Sequence, residues 1–130
     1  MNKQGDKAAV GILAIDDDPS ILDILKISLE SEGYRVHTAE TPQRGVELFD
    51  QLHGSLGLVL LDYIMPGMTG DVVFQKLRRI DPKVPVLLLT ACDDRVAEDM
   101  FAQGLRGYLQ KPFYLSQILE RVQESLSPRA

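Results

Sequence analysis

At 130 residues, with 45% apolar and 25% charged side chains, the chain has the size and balance of one globular domain. Fourteen basic against nineteen acidic residues give a net charge of −5, which argues against nucleic-acid or acidic-membrane binding through a broad basic face. A single cysteine, Cys92, excludes an internal disulfide, and two isolated histidines, His37 and His53, make no zinc-type cluster, so a reducing, cytoplasmic setting is expected.

In chain order, residues 1–9 read as a loose polar head. The charge-free apolar run Ala8 to Ile15 is too short to span a bilayer, and three aspartates, Asp16 to Asp18, end it where a signal peptide would have small residues; its Val10 to Ile15 part is an unbroken apolar run. Unbroken runs of this kind suit strands covered on both faces, and Leu58 to Leu61 and Val84 to Leu89 repeat the pattern. Tyr34 to Thr38 and Gly107 to Leu109 are weaker strand candidates. Helical stripes lie between them: Ile21, Leu22, Leu25 and Leu29; then Val46, Phe49 and Leu52; then Val73, Leu77 and Ile80; then Val96, Met100 and Phe101. The last stripe, Leu115, Ile118, Leu119, Val122 and Leu126, is the clearest. Asp18-Pro19 and Thr41-Pro42 each put a capping side chain before proline at the first helical position, and Gly33 and Gly104 sit where helices should stop. Five alternations of strand and helix over residues 10–126 imply a right-handed doubly wound α/β sheet with helices on both faces, and residues 127–130 read as a frayed tail.

In open α/β sheets ligands bind beyond the carboxyl ends of the strands, so the residues that follow each apolar run converge in space. The first strand delivers Asp16 and Asp17, the third Asp62, the fourth Thr90, and the fifth leads through Gln110 to Lys111-Pro112. Three clustered carboxylates repel one another unless a cation neutralises them, and an all-oxygen donor set suits Mg²⁺ or Mn²⁺ better than zinc. Mg²⁺ uses one or two carboxylates, which leaves one free to attack phosphorus, with the lysine and the hydroxyl neutralising charge on the transferred group. Singly, each residue has a plainer explanation: Asp18 as a helix cap, Lys111 as a solvated charge, Thr90 as a strand-end hydroxyl bonded to backbone. Their joint appearance at strand ends favours a site.

The blocks Ile12-Leu13-Ala14-Ile15-Asp16-Asp17-Asp18-Pro19, Leu60-Leu61-Asp62-Tyr63-Ile64-Met65-Pro66-Gly67-Met68-Thr69-Gly70, Leu88-Leu89-Thr90-Ala91 and Gly107-Tyr108-Leu109-Gln110-Lys111-Pro112-Phe113 closely resemble the receiver domain of two-component response regulators. The resemblance implies a flavodoxin-like fold with five parallel strands in the order 2-1-3-4-5 and five helices. It further implies a signalling phosphoacceptor, not an enzyme, that takes a phosphoryl group from a histidine kinase or a histidine phosphotransfer protein. By resemblance, Asp62 is the phosphoacceptor. Asp17 is the direct Mg²⁺ ligand, Asp16 a ligand acting largely through water, and Asp62 and the Ile64 backbone carbonyl complete the protein's share. Lys111 pairs with the phosphoryl oxygens, Thr90 swings in to bond one of them, and Tyr108 is the aromatic switch. The Lys111-Pro112 bond is cis in many receivers, so Pro112 is a cis candidate. Ile64 and Cys92 fall at positions that tune phosphoryl lifetime; neither orients attacking water, so slow dephosphorylation is expected. Output is expected through the face of the fourth helix, fifth strand and fifth helix, with Arg95, Arg106, Arg121 and the Tyr108 ring as candidate contacts.

Two rivals differ in class. A phosphatase of the haloacid dehalogenase type needs its nucleophile after the first strand and a second aspartate two residues on, whereas Ile64 follows Asp62 at that spacing. A receiver fold that binds partners without phosphorylation would have no use for buried carboxylates, which are costly. No direct nucleic-acid or membrane partner is expected, and the chain is read as a monomer or a phosphorylation-linked dimer. It is either a stand-alone receiver or part of a longer regulator or hybrid kinase.

Overall fold

Strands built from unbroken apolar runs belong in the middle of a sheet, because only there are both faces covered. A computed structural model describes residues 10–91 and 94–126; the polar head, the tail after Leu126 and Cys92 lie outside the described residues. In chain order the elements are β1 (Gly11–Ile15), α1 (Pro19–Ser31), β2 (Arg35–Ala39), α2 (Pro42–Leu52), β3 (Leu56–Asp62), α3 (Gly70–Ile80), β4 (Val86–Thr90), α4 (Asp94–Ala102), β5 (Gly107–Gln110) and α5 (Leu115–Leu126). A short 3₁₀ turn, His53–Ser55, precedes β3. All four strand pairings are parallel and the strand order is β2-β1-β3-β4-β5, as the resemblance implies.

The strand ends differ from the sequence reading by a residue or two. β3 is longer than its apolar run because pairing passes over Gly57: Gly11 and Ile12 face Leu56 and Leu58, leaving a bulge between them. Val10 and Leu126 fill the space that a Cβ at position 57 would need. β2 and β5, the weaker signals, are the two edge strands, whose partly exposed positions admit polar residues.

Alternation along the strands divides the core into two layers. Leu13, Ile15, Val59, Leu61, Val86 and Leu88 face Phe49, Val73, Phe74, Leu77 and Met100, so α2, α3 and α4 cover one side. Ile12, Ala14, Leu58, Leu60, Leu87 and Leu89 face Leu22, Leu25, Leu29, Ile118 and Val122, so α1 and α5 cover the other. Each fully buried Leu, Ile or Phe contributes about 1.5–3 kcal/mol, which makes this double layer the main source of stability.

The helix signals act as expected. Asp18 caps α1 by accepting from the Ser20 N–H at 2.9 Å, and Thr41 caps α2 by accepting from the Arg44 N–H at 3.1 Å. Gly33 and Gly104 leave their helices at φ of 98° and 104°, a left-handed conformation that a side chain disfavours. On α1, the Lys26 ammonium donates to the Val36 carbonyl of β2 at 3.2 Å and pairs with Glu30. At the far end of α2, His53 Nδ1 lies 2.8 Å from Asp81 Oδ2, and this hydrogen bond holds the Asp81 carboxyl below the usual range. Among the described residues no helix is long and apolar enough to cross a membrane.

Gly45 lies inside α2, where alanine normally favours a helix by about 1 kcal/mol. Here a Cβ would stand 2.6–2.9 Å from three carbons of the buried Ile15 side chain, so overpacking outweighs propensity. Gly45→Ala is expected to destabilise the domain by about 1–3 kcal/mol in urea unfolding; a stabilised variant would show that the α2–β1 contact has slack.

Candidate functional site

The four strand ends named from the sequence meet. β1 runs straight into Asp16, which is 1% exposed, and β3 ends on Asp62, which is 4% exposed. Because β1 and β3 are neighbours at the centre of the sheet, their ends bring these two carboxylates side by side. Asp17 points to solvent at the lip. Thr90, the last residue of β4, is fully buried. Lys111 follows β5, and its bond to Pro112 is cis.

Main-chain bonds fix these ends. The Asp16 N–H donates to the Ala39 carbonyl at 3.1 Å, the Tyr63 N–H to Leu89 at 3.2 Å, and the Lys111 N–H to Thr90 at 2.7 Å. The loop after Asp62 closes where the Gly70 N–H meets the Tyr63 carbonyl at 2.6 Å. A Cβ on Gly70 would lie 2.8 Å from the Asp62 carbonyl oxygen, so only glycine allows this closure.

The Lys111 ammonium donates to Asp16 Oδ2 at 2.9 Å and to Asp62 Oδ1 at 3.2 Å. The second Asp16 oxygen accepts from the Asp18 N–H at 2.9 Å. One ammonium thus faces two buried carboxylates and the nearby Asp17. Burial, then the charge of Asp16, raise the Asp62 pKa from 3.8 to about 6, against the pull of Lys111. Burial alone would weaken the Lys111 ammonium, but its hydrogen bonds and charge pairing with Asp16 and Asp62 prevail and hold its pKa above the ordinary value.

Asp16, Asp17 and Asp62 can each offer one carboxylate oxygen, and these atoms lie within 4.8 Å of one another. A hard divalent cation fits that all-oxygen donor set. The Ile64 side chain, two residues after Asp62, is 56% exposed. Tyr108 is half-buried on β5, its ring centroid 6.1 Å from that of Phe101 at 71°. Of the output-face arginines, Arg95 is exposed, and Arg121 is half-buried and donates to the Tyr108 carbonyl at 3.1 Å. Cys92 lies outside the described residues.

One neighbouring surface escaped the sequence reading. A groove of about 430 Å³, lined by Ile21, Ile24, Leu25, Pro112, Phe113 and Leu115, also touches Ala91 and Lys111. Its signal was available: Ile24 and the 71% exposed Ile27 fall off the buried stripe of α1.

Residues 12–123 match the response regulator receiver domain, and the chain belongs to that family. It is 40% identical over 120 residues to the DNA-binding dual master transcriptional regulator RpaA of Synechocystis sp., covering 88% of this chain and 48% of the relative. The chain spans about half the length of such curated relatives. A receiver domain protein from Clostridium thermocellum superposes with a TM-score of 0.85 at 29% identity, covering 90% of this chain and 94% of that one. The response regulator TrrA of Thermotoga maritima, solved in complex with Mg²⁺-BeF, superposes at 0.78 with 32% identity, covering 90% and 99%. Family membership sets aside the haloacid dehalogenase reading.

The raised Asp62 pKa has a consequence for stability. The folded state holds a proton that the unfolded state releases, so the contribution is complete below about pH 4 and is lost as the pH rises through about 6. The difference between 3.8 and about 6 corresponds to roughly 3 kcal/mol. Without divalent cations, Asp62→Asn is expected to be more stable than the wild type at pH 7.5, with the advantage shrinking toward pH 4.5. Parallel urea titrations measure this; an advantage that does not change with pH would contradict the assignment.

Proposed function

We propose that this receiver domain accepts a phosphoryl group on Asp62 from a phosphohistidine and relays the change to a protein-binding surface. The single observation behind this is the buried Asp62 carboxylate, held beside Asp16 and hydrogen-bonded to Lys111. A carboxylate kept out of water at high energy is primed to react once its charge is compensated.

Asp16, Asp17, Asp62 and the Ile64 carbonyl would hold Mg²⁺, or Mn²⁺. When bound, the cation supplies positive charge that offsets the carboxylates and the incoming phosphoryl oxygens. The similarity to TrrA, which was solved in complex with Mg²⁺-BeF, supports a Mg²⁺ site in this chain. In the transfer, an Asp62 oxygen attacks phosphorus, the phosphorus–nitrogen bond breaks, and the histidine ring leaves with its electron pair. Lys111 donates to a phosphoryl oxygen, and the Thr90 hydroxyl turns toward another. Tyr108 then moves toward the space Thr90 leaves, which biases the face of α4, β5 and α5 that a downstream protein reads.

The donor is a histidine kinase or a histidine phosphotransfer protein. The apolar groove beside Lys111 gives such a partner a dry surface next to the reacting carboxylate. The domain turns over no small substrate; its only chemistry is phosphoryl transfer to itself and slow hydrolysis. Ile64 and Cys92 offer no group that orients attacking water, so the acyl phosphate is expected to persist for minutes or longer.

Incubation with acetyl phosphate and Mg²⁺, followed by intact mass, tests the assignment. One phosphoryl group should be gained and then removed by hydroxylamine, and Asp62→Asn should gain none. No gain in the wild type favours a module that works without phosphorylation, and an undiminished gain in the variant relocates the acceptor. Loss of the acyl phosphate within seconds would refute the lifetime expectation.

A further inference from the structure

At the N-terminal ends of β4 and β5, the other end of the strands from Asp62, lies a small cavity of about 150 Å³. It is lined by Leu87, Arg106, Gly107, Arg121, Glu124 and Ser125. Ser125 is 9% exposed overall, and its hydroxyl, which makes no side-chain hydrogen bond to another described residue, is open to solvent in the cavity. Arg121 spends one donor on the Tyr108 carbonyl, and a guanidinium has five. Arg106 is half-buried, and its guanidinium pairs with no carboxylate among the described residues. Glu124 is the one carboxylate in the lining, so two positive charges face one negative.

Donors therefore outnumber acceptors in the cavity, and the Ser125 hydroxyl is open to it. Its volume is well below the roughly 300–1,000 Å³ usual for drug-sized ligands and admits one small polyatomic ion. Guanidinium groups match carboxylate and phosphate through paired N–H donors. A Cβ at Gly107 would stand 3.7 Å from an Arg121 guanidinium nitrogen and 3.2 Å from Leu87, so the absence of a side chain there keeps the cavity open.

We infer that this cavity binds a single oxyanion the size of phosphate or of a side-chain carboxylate, held by Arg106, Arg121 and the Ser125 hydroxyl. Glu124 competes with the ligand for the arginines and weakens binding. The site is separate from Asp62 and does not depend on the phosphoacceptor reading; either can fail alone. Because Arg121 also holds the Tyr108 carbonyl, the bound anion touches the strand that carries Tyr108.

The test is an amide ¹⁵N–¹H titration of the full chain without divalent cations, at constant ionic strength in chloride, with inorganic phosphate in one series and acetate in another. Saturable shifts at Leu87, Gly107 and Ser125 in the millimolar range are expected. Saturation by phosphate alone assigns a phosphoryl ligand, and saturation by acetate as well assigns the site to a carboxylate, such as an acidic side chain of a partner. Arg106→Gln should weaken binding about tenfold, since a hydrogen bond to a charged group is lost. Ser125→Ala should weaken it severalfold, and Glu124→Gln should tighten it. Linear, unsaturable shifts in both series, or affinities unchanged in both Arg106→Gln and Ser125→Ala, would overturn the proposal.

Discussion

The structure turns on two carboxylates held out of water side by side, Asp16 and Asp62, with one ammonium bridging them. A buried charge is costly unless it is paired, and here the pairing is incomplete. The cost is borne by the apolar runs themselves. β1 and β3 are central because their residues are apolar on both faces, and a central strand necessarily ends in a buried position. The same sequence feature that builds the sheet therefore desolvates the acids at its rim. Lys111 must come from β5, two strands away from β3, to meet them.

The surroundings of this triad are tied together by main chain. Tyr63 bonds to β4, Lys111 bonds to Thr90, and Gly70 closes the loop that follows Asp62. Main-chain bonds thus join the segment after Asp62 to β4, and β4 to the end of β5. Tyr108 on β5 packs edge-on against Phe101 of α4, which places an aromatic pair between the site and the α4 surface. The acidic cleft and this aromatic pair are thus linked by contacts within β4, β5 and α4.

Much of this was legible in the sequence for a specific reason. Unbroken apolar runs mark strands covered on both faces, and the polar residue that stops each run marks its rim; Asp16, Asp62 and Thr90 were found that way. Asp18 and Thr41 were legible as caps because proline follows each of them. The edge strands were weaker because an exposed edge tolerates polar residues, as at Arg35 and His37. Proximity of Lys111 to both acids needed the order of the strands, which periodicity does not encode and the family resemblance does. The groove beside Lys111 was missed because Ile24 and Ile27, although they fall off the α1 stripe, are the kind of scattered apolar residues that helix surfaces ordinarily carry. The cavity under β5 was missed because Arg106, Arg121 and Ser125 are individually ordinary, and Arg121 looked like a free surface contact until its bond to the Tyr108 carbonyl was seen.

An open sheet has two unpaired borders, and in this fold they are β2 and β5. Each has a main-chain carbonyl occupied by a basic side chain from a neighbouring helix: Lys26 of α1 on Val36, and Arg121 of α5 on Tyr108. A strand from another molecule that approached either border would have to displace a charged group before it could join the ladder. The two residues therefore act as guards against edge-to-edge association, and the domain can present its outer face to a partner without inviting a sixth strand.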